Sequence, residues 1–193
     1  MKNLGIWFEA KLNFDAQTSA LAGKCFGLLK MLRKILQFLP VSAQKTVIQA
    51  LIVLRLDYCN VLYLGAPLRC LHRLQRAQNA AARVLLKLPK RSSTKEGLRL
   101  LHWLPMRDRV AFKALCFCYR ALSNIGPGYL QSLVQPYSPG RQLRSTVASL
   151  ALVPKFKRVR SGGSSFIYLA LRLWNSLPLA LRLAPSEGCF RKA

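Results

Sequence analysis

The stretch that separates apolar from basic side chains most clearly is PLRCLHRLQRAQNAAARVLLKL, residues 67–88. Its leucines and alanines recur every three or four positions, which is the spacing of one buried helix face. Pro67 suits the first turn of a helix, so the pattern predicts a helix over about 67–88. One face of this helix is basic and covers an arc of about 80° around the helix axis, given a rotation of ~100° per residue. It consists of Arg69, Arg73, Arg76, Arg83 and Lys87.

This basic face has two interpretations. A solvated surface normally mixes both signs of charge, whereas this helix contains no acidic residue. The alternative is a surface that follows a phosphate backbone without reading bases, and the lack of acids favours it. A second, shorter basic stripe is predicted on a later helix of about 105–123. It consists of Arg109, Lys113 and Arg120.

Two further helices are predicted before this stretch. Apolar residues at helical spacing indicate one helix over about 21–39, which Pro40 ends. A second helix over about 43–63 is apolar nearly all round, which is typical of a buried helix. Three helices with short links predict an up-down bundle. The opening segment LGIWFEAKLNF (4–14) alternates enough to predict a strand or hairpin.

The predicted fold class is mainly α, with a short N-terminal strand or hairpin, a helical bundle and a looser α/β C-terminal segment. Residues 1–90 are expected to form the three-helix region, and 91–134 contain further helices. Residues 135–193 are expected to form an extended linker and a small C-terminal segment, with a strand at 147–154.

Composition points to a polyanionic partner. The 193-residue chain is 52% hydrophobic, so it has enough apolar residues for a core, and its net charge is +25. A compact body with that charge is expected to bind nucleic acid or an anionic surface. The longest apolar run, TVIQALIVL (46–54), is too short to span a bilayer. Without a visible secretory signal, the expected location is intracellular, in the nucleus or cytoplasm.

No catalytic motif or cofactor site is predicted. The chain has six acidic residues, and no two are adjacent or two or three positions apart, so a two-metal carboxylate site is not indicated. The segments CLH (70–72) and CFC (116–118) contain possible zinc ligands, but their spacing matches no zinc finger or knuckle. Buried free cysteines are the alternative.

Asp57, in RLDYCNVLY (55–63), is the acidic residue with the most unusual surroundings. One interpretation is a metal-binding carboxylate. The favoured interpretation is a structural anchor that pairs with Arg55 or with a basic residue of helix 67–88, because a buried charge needs a partner. Tyr58 is then expected to be a core aromatic residue with its hydroxyl near the surface.

A second basic cluster lies near the C-terminus, in KFKRVR (155–160). Its cations are Lys155, Lys157, Arg158 and Arg160. A nuclear import signal, a phosphate-contacting loop and a charged strand edge all remain open. Trp103 and Trp174 are expected to be core residues rather than base-stacking ones.

Six blocks of sequence together resemble the C-terminal part of the reverse transcriptases of non-LTR (LINE-type) retrotransposons. The resemblance extends from about Leu4 to Arg191. The blocks are CFGLLKMLRKILQFLP, RLDYCNVLYLGAP, LQRAQNAAARVLL, LHWLPMRDRVAFKAL, GPGYLQSLVQPYSPGRQLRS and LWNSLPLALRLAPS.

The resemblance implies that the first three helices correspond to the thumb, which grips the template-primer duplex. It also implies that the catalytic Asp pair of the palm, with the fingers, is missing, so the chain is not expected to be an enzyme on its own. Two departures are SGGSSF (161–166), where the family tends to have an Asp-Arg pair before the Phe, and the early end at CFRKA. Both imply a degenerate or truncated copy, with Met1 an internal methionine. A basic module that binds proteins or anionic surfaces, and a decayed reading frame, remain the alternatives.

Overall fold

The chain is mainly helical, with a two-stranded antiparallel hairpin at its N-terminus, so the predicted fold class is confirmed. The computed structural model describes residues 1–10, 12–138, 149–155 and 165–192. The chain divides into two compact units, Met1–Arg109 and Val110–Ala193. The helices and strands given below lie within the described ranges.

The hairpin pairs β1 (Lys2–Asn3) with β2 (Ile6–Trp7). Its two-residue turn has φ of 45° at Leu4 and 83° at Gly5, the geometry that matches the twist of short hairpins and that glycine tolerates. The prediction of a hairpin is confirmed, but the predicted range 4–14 is wrong. Pairing ends at Trp7 because the turn already forms at Leu4 and Gly5.

Two parallel helices form the centre of the first unit. α1 (Asp15–Leu36) buries part of the apolar stripe predicted for it, including Leu29 and Leu32, although other members of that stripe are only partly buried or exposed. α4 (Leu68–Leu85) buries Leu74, Ala77 and Ala81. Alanines on the buried face of α4 leave room for a close approach of α1. Leu68, however, is exposed, so the predicted apolar face of α4 begins one turn later.

The segment between these helices differs from the single buried helix predicted over 43–63. α2 (Val41–Ile48) continues through a π-helical turn (Gln49–Val53) into α3 (Leu54–Asp57), and a separate 3-10 helix follows (Asn60–Gly65). The helix stops because Tyr58 is extended and Cys59 adopts a left-handed conformation with φ of 50°. Leu54 and Tyr58 are exposed, so the prediction of burial all round, and of a core Tyr58, is wrong.

Buried amides attach α4 to the start of α6 (Met106–Leu122) within the first unit. Gln78 is fully buried, and its Nε2 donates to the Leu104 carbonyl at 2.9 Å. The Met106 amide donates to Gln75 Oε1 at 2.7 Å. The intervening α5 (Lys95–Leu100) was not predicted, because its short sequence reads as a turn-rich connector. Trp103 is buried, as predicted.

The second unit contains the later part of α6, α7 (Gly128–Leu133), α8 (Phe166–Ser176), α9 (Leu179–Arg182) and α10 (Glu187–Lys192). Trp174 is buried as predicted, and its ring centroid lies 5.8 Å from that of Phe190. The strand predicted over 147–154 is reduced, in the part that lies inside the described residues, to one bridge between Ala151 and Pro136. None of the described helices combines the length and the apolar composition that a bilayer-spanning helix requires.

Candidate nucleic-acid interface

A basic groove runs along the first unit between α1, α2 and the C-terminal half of α4. Its volume is about 880 Å³. Its five cations come from α1, from α4 and from the segment that follows α4, and none of the described residues that line it is acidic. We call this surface the basic groove and define it by its cations, which are Arg33, Arg76, Arg83, Lys87 and Lys90.

The end of α4 positions two of these cations. The Leu88 amide donates to the Arg83 carbonyl at 3.0 Å, and Lys87 between them has a φ of 52°. This left-handed residue ends the helix and turns the chain back on itself. The Arg83 guanidinium donates from Nη2 to the Ser92 carbonyl at 3.0 Å, which holds its side chain along the groove and leaves its charge unneutralised.

Neutral side chains complete the groove. Gln37, Gln44 and Asn79 line it together with Phe26, whose ring is partly exposed. Amide groups hydrogen-bond phosphate and sugar oxygens without distinguishing one base from another. Gln44 is buried and its Nε2 already donates to the Leu39 carbonyl at 2.8 Å, so Gln37 and Asn79 are the amides that join the cations in a surface suited to a nucleic-acid backbone.

The first two cations predicted on α4 are already paired inside the protein. Arg69 Nε donates to Asp15 Oδ2 at 2.8 Å, and Arg73 Nη1 contacts Asp15 Oδ1 at 2.5 Å. The hydrogen bonds from Arg69 and then Arg73 hold the pKa of the Asp15 carboxyl well below its usual value. The basic face of α4 is thus partly balanced by an acid that α4 itself does not contain, because Asp15 comes from the start of α1.

Asp57 is held by an ion pair and a hydrogen bond, and neither of the two partners described here was predicted. Its Oδ2 accepts from Arg109 Nη1 at 2.6 Å, and its Oδ1 accepts from Asn60 Nδ2 at 3.2 Å. Arg109 belongs to the first turn of α6, not to α3 or α4. The pair joins the end of α3 to the start of α6 within the first unit.

Among the residues that the structure describes, none of the other predicted cations lines the basic groove. Besides Arg109, Arg120 is paired in the second unit, where its Nε donates to Glu187 Oε2 at 2.9 Å. Lys113 lies half-buried on α6, and Lys155 is exposed. Lys157, Arg158 and Arg160 lie outside the described residues.

Two cations of the basic groove were not predicted, and only one had a signal in the sequence. Arg33 follows directly after the buried Leu32, so it lies at the edge of the apolar stripe of α1. Helical periodicity therefore places Arg33 beside α4, the helix against which α1 packs. Lys90 lies beyond the end of α4 and had no such signal.

The described residues contain no group of three or more His, Cys, Asp or Glu side chains that could hold a metal ion. Burial raises the pKa of the Cys118 thiol to about 12 and also raises that of Cys25. A thiol with a raised pKa is a poor source of the thiolate that zinc requires.

Comparison with known proteins leaves the family open. No protein-family model matches the chain, and neither the curated proteins nor the solved structures give a match. The geometry of the basic groove and the charge of the chain are therefore the observations that bear on function.

Replacing Asp15 by Asn is expected to tighten duplex binding by several-fold, because the neutral amide releases the charges of Arg69 and Arg73 toward phosphates. Fluorescence anisotropy with a labelled duplex measures this change. Asp108→Asn is the matched control, since it removes one exposed acidic charge from the first turn of α6. Equal effects of the two substitutions would show that only net charge matters.

The same substitution has an expected signature in stability. Because the pKa of Asp15 is lowered in the folded state, its ion pairs stabilise the fold above the ordinary Asp pKa. That contribution is lost as the pH falls from the ordinary Asp pKa toward the lowered pKa of Asp15 in the folded state. The melting temperature of Asp15→Asn should therefore approach that of the unmodified chain as the pH falls below about 4.

Proposed function

We propose that this chain binds the phosphate backbone of a nucleic-acid duplex through the basic groove, without reading the base sequence. The observation that carries the proposal is the concentration of five cations in one concave surface whose described lining has no acid. From Arg76 to its end at Leu85, α4 rises ~14 Å, which is about four base pairs of duplex. Several phosphates of one strand fit along that length.

In this proposal the chain is a nucleic-acid-binding part of a retrotransposon reverse transcriptase, matching the thumb and the segment after it. The six blocks of sequence support this origin, and so does the arrangement of the α1–α4 pair around a basic groove. The proposed activity is binding of a template-primer duplex, with no polymerase chemistry of its own. Asp57 is the carboxylate most open to a catalytic interpretation. It already forms an ion pair with Arg109 and accepts a hydrogen bond from Asn60.

The test is a comparison of ligands with the unmodified chain. Three RNA–DNA or DNA duplexes of unrelated sequence are titrated by fluorescence anisotropy, alongside vesicles containing anionic lipid. We expect the duplexes to bind with affinities within a factor of a few of each other, because contacts to phosphate carry no sequence information. Binding to vesicles with no binding to duplex would instead support an anionic-surface module.

A further inference from the structure

A second concave surface of the first unit contains exposed aromatic rings as well as cations. It lies between the N-terminal hairpin, α1 and α3, has a volume of about 460 Å³ and shares no lining residue with the basic groove. We call it the N-terminal cleft. Its chemically distinctive residues are Lys2, Trp7, Lys24, Arg55 and Tyr58.

Both aromatic side chains are about half exposed, and a hydrogen bond holds the backbone of Trp7 and the hydroxyl of Tyr58. Trp7 is 49% exposed and Tyr58 is 53% exposed. The Trp7 amide donates to Gln17 Oε1 at 3.0 Å, and the Tyr58 hydroxyl donates to the Leu4 carbonyl at 2.8 Å. Both rings line the cleft with about half of their surface exposed, so they are available to stack on a ligand.

The charges of the cleft have one sign. Lys2 Nζ lies 5.7 Å from the centroid of the Trp7 ring, and Lys24 and Arg55 line the same cleft from α1 and α3. No acidic side chain is among the described residues that line it. A ligand of this cleft therefore needs an anionic group beside a flat aromatic one.

From this combination we propose that the N-terminal cleft binds a nucleoside phosphate, with the base against Trp7 and Tyr58 and the phosphate at Lys24 and Arg55. Stacking on an aromatic side chain accepts any base, and a guanidinium or ammonium group binds phosphate. The volume is within the ~300–1,000 Å³ range of small-molecule clefts. This site goes beyond the duplex binding proposed for the basic groove.

Isothermal titration of the full chain with adenosine 5′-monophosphate tests the proposal. We expect saturable binding that weakens about tenfold or more in Trp7→Ala, and that ribose 5-phosphate, which lacks the base, binds correspondingly less well. Trp7→Phe keeps an aromatic face and should retain most of the affinity. This conservative variant separates loss of stacking from loss of the hairpin.

The phosphate half of the site is tested by changing Lys24 and Arg55 to Gln together. We expect a further loss of about tenfold or more, whereas the same change at the exposed Lys30 and Lys34 of α1 should leave binding unaltered. Hexathymidylate distinguishes the source of the ligand. If hexathymidylate displaces adenosine 5′-monophosphate and binds more tightly than it does, the natural ligand is a nucleotide within a single strand. If it does not, the natural ligand is a free nucleotide.

Three results would overturn the proposal: no binding of the mononucleotide, binding that is indifferent to Trp7→Ala, or equal binding of ribose 5-phosphate. Duplex binding is measured on the same variants. The two surfaces share no lining residue. A variant that loses mononucleotide binding but keeps duplex binding is therefore altered in the N-terminal cleft alone. A basic-groove variant that loses duplex binding tests only the duplex binding proposed for that groove.

Discussion

Replacing Arg76, Arg83 and Lys87 together by Gln is expected to weaken duplex binding about a hundredfold at ~0.1 M salt. Each phosphate contact changes the logarithm of affinity by ~0.9 for every tenfold change in salt, so losing one contact at this salt costs up to about eightfold. These three residues lie along one edge of the basic groove, and none has an ion-pair partner among the described residues. Fluorescence anisotropy on several duplexes measures the loss, which should be the same for every sequence.

The matched control changes Lys30, Lys34 and Lys45 to Gln. These lysines are exposed on the same unit and lie outside both concave surfaces, so the net charge falls equally. We expect the control to lose affinity by less than about tenfold, through the long-range field alone. Equal losses in the two triple variants would mean that the duplex does not lie in the basic groove.

The second large effect concerns stability, and it is expected for Asp57→Ala. The Asp57 and Arg109 side chains are only 27% and 16% exposed, so removing the carboxylate leaves a largely buried guanidinium without that partner. Breaking a fully buried pair costs ~3–5 kcal/mol, and the partial exposure here reduces the expected loss of unfolding free energy to about 2 kcal/mol. The fully buried Asn60 amide also loses its acceptor.

Denaturant unfolding of Asp57→Ala measures this loss, with Glu96→Ala as control. Glu96 pairs with Arg99 at 3.0 Å, but its side chain is 74% exposed, and exposed pairs contribute ~0–1 kcal/mol. Combining Asp57→Ala with Arg109→Ala should cost less than the sum of the single changes, because the orphaned charge is removed too. An unchanged midpoint in Asp57→Ala would contradict the anchor role. Duplex affinity of the folded variant should stay close to that of the unmodified chain.

The helices with clear periodicity were predictable because one pattern determined both their type and their buried face. α4 and α6 begin and end within a few residues of the predicted positions, and each is flanked by a proline at its start. The break after Asp57 was not predictable in the same way. It depends on a left-handed Cys59, and nothing in its residue type favours that conformation.

The candidate site was predictable only in part, because periodicity reports one helix at a time. The sequence predicted one helical stripe of five cations, but Lys87 lies past the end of α4, and the residues that pair with or extend the stripe come from distant segments. Asp15 pairs with both Arg69 and Arg73, whereas Arg33 and Lys90 extend the basic surface around Arg76. Which cations are paired and which line a groove is decided by tertiary packing, so the sequence could not separate them.

The exposed Tyr58 shows the same limit for an aromatic residue. Its apolar neighbours predicted burial, yet the helix ends at Asp57 and the ring turns outward, where the hydroxyl reaches the hairpin. The side chain thereby becomes part of the N-terminal cleft. Local composition indicated a core residue because it contained no information about where the helix would stop.

The most direct test of the basic groove is the slope of log affinity against log salt for the duplex, measured for the unmodified chain and both triple variants. The account predicts that the Arg76, Arg83 and Lys87 variant loses about two to three units of slope, near one for each phosphate contact removed. The Lys30, Lys34 and Lys45 variant should retain the slope of the unmodified chain. An intact slope in the first variant and a reduced slope in the second would contradict the account, because the phosphates would then lie against the other face of α1 and α2.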